Sequence, residues 1–213
     1  MAEFILFDLD GTLTDPKEGI TKCVAYALKH FGIEREPDDL ISFIGPPLKE
    51  QFMEYIGTDE KGGEEAVRIY RERFAPIGIF ENRIYDGVLQ MLDTLKKRGK
   101  RMAIATSKPA VFARQIADKY GISPFLEAVV GSELDGTNTN KADVIKIAME
   151  TIGAAENNTI MVGDRMHDCI GAKKNNIPCI GVLYGYGSRE ELCKSGAYKI
   201  AENIEQLKEI LCE

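Results

Sequence analysis

Long apolar runs are missing from this 213-residue chain, and none approaches the roughly 20 residues that span a bilayer. An excess of basic charge is missing as well: 27 Lys and Arg stand against 34 Asp and Glu, a formal net charge of -7. Nucleic acid and anionic membranes are therefore not expected partners, because either needs a concentrated basic surface. A small anion in a locally positive site stays compatible with that balance. Cysteines are few, odd in number and dispersed, at positions 23, 169, 179, 193 and 212, with no Cys-x-x-Cys pair. This excludes a disulfide frame or a zinc knuckle and predicts five reduced thiols buried as small hydrophobes. Only two histidines occur; His30 reads as a helix-surface residue and His167 as a surface or supporting one. No internal repeat or low-complexity tract is visible. With 44% apolar residues the chain can bury a sizeable core, and a cytoplasmic protein is expected.

What is present begins at the N-terminus. The run Phe4-Ile5-Leu6-Phe7 ends in Asp8-Leu9-Asp10-Gly11-Thr12. A buried strand thus hands two carboxylates to solvent on one side, because strand side chains alternate faces, and close carboxylates resist double ionisation without a cation or a shared proton. An acidic turn is the competing reading of this segment alone.

Apolar residues at 20, 23, 24, 27, 28 and 31 form a helical stripe that Gly32 closes. Gly45-Pro46-Pro47 opens a second helix with Phe52 and Ile56 on one face, and Gly62-Gly63 precedes a third with Val67, Tyr70 and Phe74. From Ile84 onward helices and short apolar strands alternate. Asp86 reads as the N-cap of a helix through Leu95, followed by strands at 102–105, 127–130, 159–162, 179–182 and 198–200. Helices are predicted from Pro109, from Lys141, over Met166–Asn175 and from Asn203. Buried strands alternating with helices predict an α/β fold with a Rossmann-like parallel sheet core. The first strand joins that sheet, which makes residues 16–83 an inserted all-helical domain and leaves 1–15 and 84–213 as the α/β core.

Ligands of open parallel sheets bind beyond the carboxyl ends of the strands. The polar residues there are Asp8, Asp10 and Thr12, then Thr106, Ser107 and Lys108, then Gly163-Asp164-Arg165-Met166-His167-Asp168, with Lys141 opening the helix before the last set. Together they suit phosphoryl transfer. A carboxylate such as Asp8 can attack phosphorus, and Asp10 can act as acid and then as base. The crowded oxygen ligands Asp8, Asp10, Asp164 and Asp168 suit Mg²⁺, while Lys141, Thr106 and Ser107 would hold phosphate oxygens.

Asp8-Leu9-Asp10-Gly11-Thr12-Leu13, Thr106 after a strand, Lys141 before a helix and Gly163-Asp164 with Asp168 resemble the four motifs of the haloacid dehalogenase-like hydrolase superfamily, over essentially the whole chain. The resemblance implies Asp8 as nucleophile and metal ligand, and Asp10 as acid/base residue offering its backbone carbonyl to Mg²⁺. It further implies Asp164 as metal ligand, Thr106 and Lys141 as phosphate ligands, and Asp168 as binding metal through water or orienting its ligands. Dehalogenases of the family lack an acid at the position of Asp10, so phosphate esters are the expected substrates. The segment Ile44-Gly45-Pro46-Pro47-Leu48 looks like the cap loop of phosphoglycolate phosphatase and 5′-nucleotidase-like members, and it lacks the arginine that sugar mutases carry there. Gly185-Tyr186-Gly187-Ser188 also resembles the family and is expected to be a flexible loop beside the site. The expectation is a Mg²⁺-dependent phosphatase acting on a small phosphorylated metabolite, phosphoglycolate or a nucleoside monophosphate, as a monomer or homodimer. A phosphosugar mutase, a pyrophosphatase and a non-catalytic metabolite sensor are the alternatives.

Overall fold

Strand β1 (Phe4–Phe7) has all four side chains buried, which is why it reads as an uninterrupted apolar run rather than an alternating one. In the computed structural model, which describes residues 2–213, it lies at the centre of a six-stranded sheet. The short β2 (Thr14–Asp15) follows it. Next come α1 (Lys17–His30), α2 (Leu48–Ile56) and α3 (Glu60–Phe74), with 3₁₀ turns at Pro37–Phe43 and Gly78–Phe80. The chain then runs through β3 (Arg83–Ile84), α4 (Val88–Lys97), β4 (Arg101–Pro109), α5 (Ala110–Lys119), β5 (Ala128–Ser132) and α6 (Lys141–Ile152). It finishes with β6 (Thr159–Gly163), α7 (Met166–Lys174), β7 (Cys179–Val182), α8 (Arg189–Lys194), β8 (Lys199–Ala201) and α9 (Ile204–Cys212).

The sheet order is β5-β4-β1-β6-β7-β8, and every neighbouring pair is parallel. After β1 the chain builds outward through β4 and β5, then returns to place β6 on the opposite side of β1. The switch point of the topology therefore falls between β1 and β6, where such sheets open a crevice at the strand ends. One face of the sheet packs Leu6, Ala103, Ala105 and Met161 against Val144, Ile145 and Ala148 of α6.

By contact density the chain divides into two units, Met1–Asp15 with Ile84–Glu213, and Pro16–Arg83. The second is helical, with a core of Ile20, Val24, Leu28, Leu40, Phe52 and Ile69 and aromatic contacts between Phe43 and Phe52 and between Tyr70 and Phe74. Among the described residues no helix is long and apolar enough to cross a membrane.

Several local expectations need correction. Asp86 caps nothing: α4 starts after Gly87, whose left-handed backbone (φ 89°) makes the turn without a side-chain cap. β4 runs on to Pro109, past the predicted end at Ala105, with a register shift against β5 between those residues. Helix α8 and the two-residue strands carry too little periodicity to be read from sequence. Cys23, Cys169 and Cys179 are buried, but Cys193 is exposed and Cys212 half-exposed, since α8 and α9 turn them away from the core.

Candidate active site

The carboxyl end of β1 passes into a tight loop in which the Leu9 carbonyl accepts from the backbone N–H groups of Thr12 (3.3 Å), Leu13 (2.9 Å) and Thr14 (3.0 Å). Asp8 extends the parallel ladder by donating its N–H to Val162 O at 2.9 Å, so Asp8 stands beside the end of β6. Gly11 adopts φ +82°, and a Cβ there would lie 2.2 Å from Asp164 Oδ2. Only glycine lets this loop approach the aspartate after β6 so closely.

Four carboxylates and two ammonium groups gather around that approach. Lys141, almost fully buried at the start of α6, has its Nζ 2.8 Å from Asp8 Oδ1 and 2.9 Å from Asp168 Oδ1, and donates to Ala105 O at 3.1 Å. Burial pulls its proton affinity down, but the charges of Asp168 and Asp8 outweigh that and lift it above the usual lysine range. Lys108 forms an ion pair with Asp10 Oδ2. Asp10 is raised by burial, against the lowering effect of Lys108.

Asp164 and Asp168 are equally buried, at 1% exposure each, yet differently served. Asp168 Oδ2 accepts from the Arg165 N–H at 3.1 Å, while its Oδ1 makes no hydrogen bond of good geometry but lies 2.9 Å from the Lys141 ammonium as an ion pair. Asp164 Oδ2 accepts from the Tyr186 N–H at 2.8 Å, but Oδ1 is buried without a hydrogen-bond partner. Burial, with Asp168 and Asp8 nearby, pushes Asp164 well above the carboxylate range. Burial also raises Asp168, to about 6, although Lys141 opposes it.

Oxygens of Asp8, Asp164 and Asp168 lie within 4.8 Å of one another. An all-carboxylate set with an orphaned oxygen on Asp164 fits a hard divalent cation such as Mg²⁺. The carboxylate of Asp10 is outside this set, turned to Lys108. Asp168, whose Oδ2 is tied to the Arg165 N–H and whose Oδ1 is ion-paired with Lys141, is suited to orienting Lys141 and the loop after β6.

Thr106, buried at 2%, accepts the Lys108 N–H on Oγ1 at 3.3 Å. Ser107 is half-buried, and its carbonyl accepts from Ser132 Oγ at 2.8 Å. Thus Asp8, Asp10, Thr106, Ser107, Lys141, Asp164 and Asp168 all stand at the strand ends flanking β1 or at the opening of α6. His167 is half-buried on the first turn of α7 and is lowered by burial and by Arg165; Arg165 pairs with Glu191 at 2.9 Å.

Two contributors are placed by the sequence but not given their part in the site. Lys108 is collected at a strand end without a role, yet its side chain is only 7% exposed and pairs with Asp10. Residues 184–187 are fastened rather than loose: Tyr184 donates its hydroxyl to Thr12 O at 3.0 Å, and Tyr186 donates to Asp15 as well as to Asp164. Burial and the Asp15 carboxylate hold the Tyr186 hydroxyl proton in place. A Cβ on Gly185 would lie 2.3 Å from Gly11 O, so the Tyr-Gly-Tyr-Gly alternation was the available signal.

Residues 5–182 match the family model described as haloacid dehalogenase-like hydrolase. A 5′-nucleotidase of Pseudomonas aeruginosa is 48% identical over 97% of this chain and 94% of its own length. The tyrosine-protein kinase PtkA of Mycobacterium tuberculosis is 35% identical over 98% of this chain and 72% of its own. A crystal structure of a predicted phosphatase from Clostridium acetobutylicum superposes with a TM-score of 0.97 at 46% identity, covering 100% of this chain and 99% of that one.

Proposed function

Since the chain belongs to the haloacid dehalogenase-like hydrolase family and is a phosphatase of it, we propose that it hydrolyses a nucleoside 5′-monophosphate or a similarly small phosphate monoester through a phosphorylated Asp8. The observation that carries this reading is the separate tethering of Asp8 and Asp10. They leave one loop together, but Lys141 holds the first and Lys108 the second, so the two carboxylates can do different work.

In the first step an oxygen of Asp8 attacks phosphorus and the bond to the ester oxygen breaks. Asp10 gives its proton to the departing oxygen. In the second step Asp10, now ionised, takes a proton from water as the water oxygen attacks phosphorus. The bond to Asp8 breaks, releasing inorganic phosphate and restoring the Asp8 carboxylate and the acid form of Asp10. Lys141 and the Thr106 hydroxyl, with the amide of Ser107, stabilise the phosphoryl oxygens throughout. Asp8 and Asp164, together with the backbone carbonyl of Asp10, would hold Mg²⁺, which supplies positive charge against the phosphoryl oxygens when bound. Asp168 keeps Lys141 aimed at Asp8.

The nucleotide preference rests on the Pseudomonas aeruginosa relative, named a 5′-nucleotidase. The segment Ile44–Leu48 resembles phosphoglycolate phosphatase and 5′-nucleotidase-like members alike, which keeps 2-phosphoglycolate as the competing substrate. Ranking nucleoside monophosphates, 2-phosphoglycolate and pyrophosphate by kcat/KM with Mg²⁺ decides between them, and a nucleotide outside the leading group would overturn the preference. Asp8→Asn should abolish phosphate release by at least ~10³-fold while the fold is kept; retained turnover would remove Asp8 as nucleophile. The Mycobacterium tuberculosis relative carries the name of a kinase, so the assay measures free inorganic phosphate, which a protein hydroxyl acting as acceptor in place of water would not release.

A further inference from the structure

We propose that Lys108 is a positioning residue for Asp10: its ammonium occupies Oδ2 so that proton transfer with the substrate runs through Oδ1. This rests on the phosphatase reading above. The two oxygens of Asp10 are inequivalent, for Oδ2 is ion-paired with Lys108 whereas Oδ1 is buried with no hydrogen-bond partner. Side-chain exposures of 7% for Lys108 and 14% for Asp10 leave little water to screen the pair or to replace it. An ammonium on one oxygen localises negative charge there and resists rotation of the carboxyl group. The proton of the acid form then sits on Oδ1, the atom left without a partner.

The backbone is built to deliver this lysine. Register shifts in β4 between Ala105 and Pro109, so Lys108 leaves the ordinary alternation of the strand. Its N–H is fixed to Thr106 Oγ1, Ser132 Oγ holds the preceding carbonyl, and β5 presses so close that a Cβ on Gly131 would lie 2.3 Å from Lys108 O. A surface lysine needs none of these restraints.

A rival role, in which Lys108 simply binds the substrate anion, makes a different prediction. An anion ligand helps every ester equally. A residue that positions the acid matters most where the leaving oxygen needs a proton. The test measures kcat/KM, which reports the steps through departure of the ester oxygen, on a series from p-nitrophenyl phosphate to simple alkyl phosphates with Mg²⁺ present. For K108Q the loss should grow along the series, from about threefold or less on p-nitrophenyl phosphate to ~10–100-fold on alkyl phosphates. K108R should recover most of the alkyl activity, and D10N should show the same trend more steeply. K108M, which keeps the aliphatic stem, repeats the measurement should K108Q fail to fold. An equal loss on every ester overturns the positioning role. Wild-type protein that releases phosphate from no ester would instead overturn the phosphatase reading, so the two failures are distinguishable.

Discussion

The helical unit closes on rings, with Phe43 5.1 Å from Phe52 and Tyr70 stacked on Phe74 at 5.1 Å, and leaves pairs such as Arg68 with Glu65 and Glu72 in solvent. The α/β unit closes on aliphatic side chains and draws carboxylates and ammonium groups inside, Asp8, Asp164, Asp168 and Lys141 all being buried. Charge moved out of water costs several kcal/mol per ion unless it is well paired, and even paired it is often no better than an apolar replacement. The α/β unit tolerates that cost only at the strand ends. Burial of charge there, next to a core that needs none, marks the part of the molecule shaped by its chemistry more than by its stability.

Removing a charge from the buried set should break the contrast most severely. Lys141→Met leaves Asp8 and Asp168 without their shared cation and should destabilise the protein by about 3–5 kcal/mol, measured by urea unfolding near neutral pH. Loss below 1 kcal/mol would mean that the cluster is hydrated. Asp164→Asn works in the opposite direction, since it relieves the unpartnered oxygen while keeping an acceptor for Tyr186. Metal-free Asp164→Asn protein should gain about 1–3 kcal/mol, and adding Mg²⁺, expected to raise the Tm of the wild type, should leave that of the variant unchanged.

The third test uses pH. Asp168 has its folded value raised from 3.8 to about 6, so between those limits the native state binds more protons than the unfolded one. Its contribution to stability is therefore full below about pH 4 and declines as pH rises through 6, opposite to a salt-bridged surface aspartate. Comparing wild type with Asp168→Asn across pH 4–7, both metal-free, isolates this decline; a flat difference would show that Lys141 fully compensates the burial. The smallest effect belongs to the helical unit's exterior. Arg68→Ala removes exposed pairs and should leave Tm unchanged within error.

How much of this was legible in the sequence depends on length and on partners. Strands such as Phe4–Phe7 and Thr159–Gly163 announced themselves because burial on both faces demands apolar runs, and the polar residues behind them marked the strand ends. Helix α8 spans six residues and β2 and β3 two each, too few for any period to repeat. Within the site, residue types showed which groups gather but not how they divide. Lys108 carries no mark separating it from a solvated lysine, and its burial follows from a register shift in β4 that arises only when β5 is alongside. Asp164 and Asp168 are the same residue four positions apart, each with one oxygen held by a backbone amide, and only the fold shows that the Lys141 ammonium faces the second oxygen of Asp168. The loop at 184–187 looked mobile from its glycines, yet those glycines are what let it lie against Gly11 and Asp164.

The central place of β1 has a kinetic consequence. Both of its sheet neighbours follow it in the chain, β4 from Arg101 and β6 only from Thr159, so its second edge stays open until β6 is made. Non-local pairing of that kind is slow, because loop closure precedes the contacts that reward it. Asp8 and Asp164 become neighbours only when β6 docks, so a nascent or partly folded chain has not assembled the acidic cluster proposed to hold metal. Metal affinity would then report completion of the sheet, rising late and in step with the last central strand.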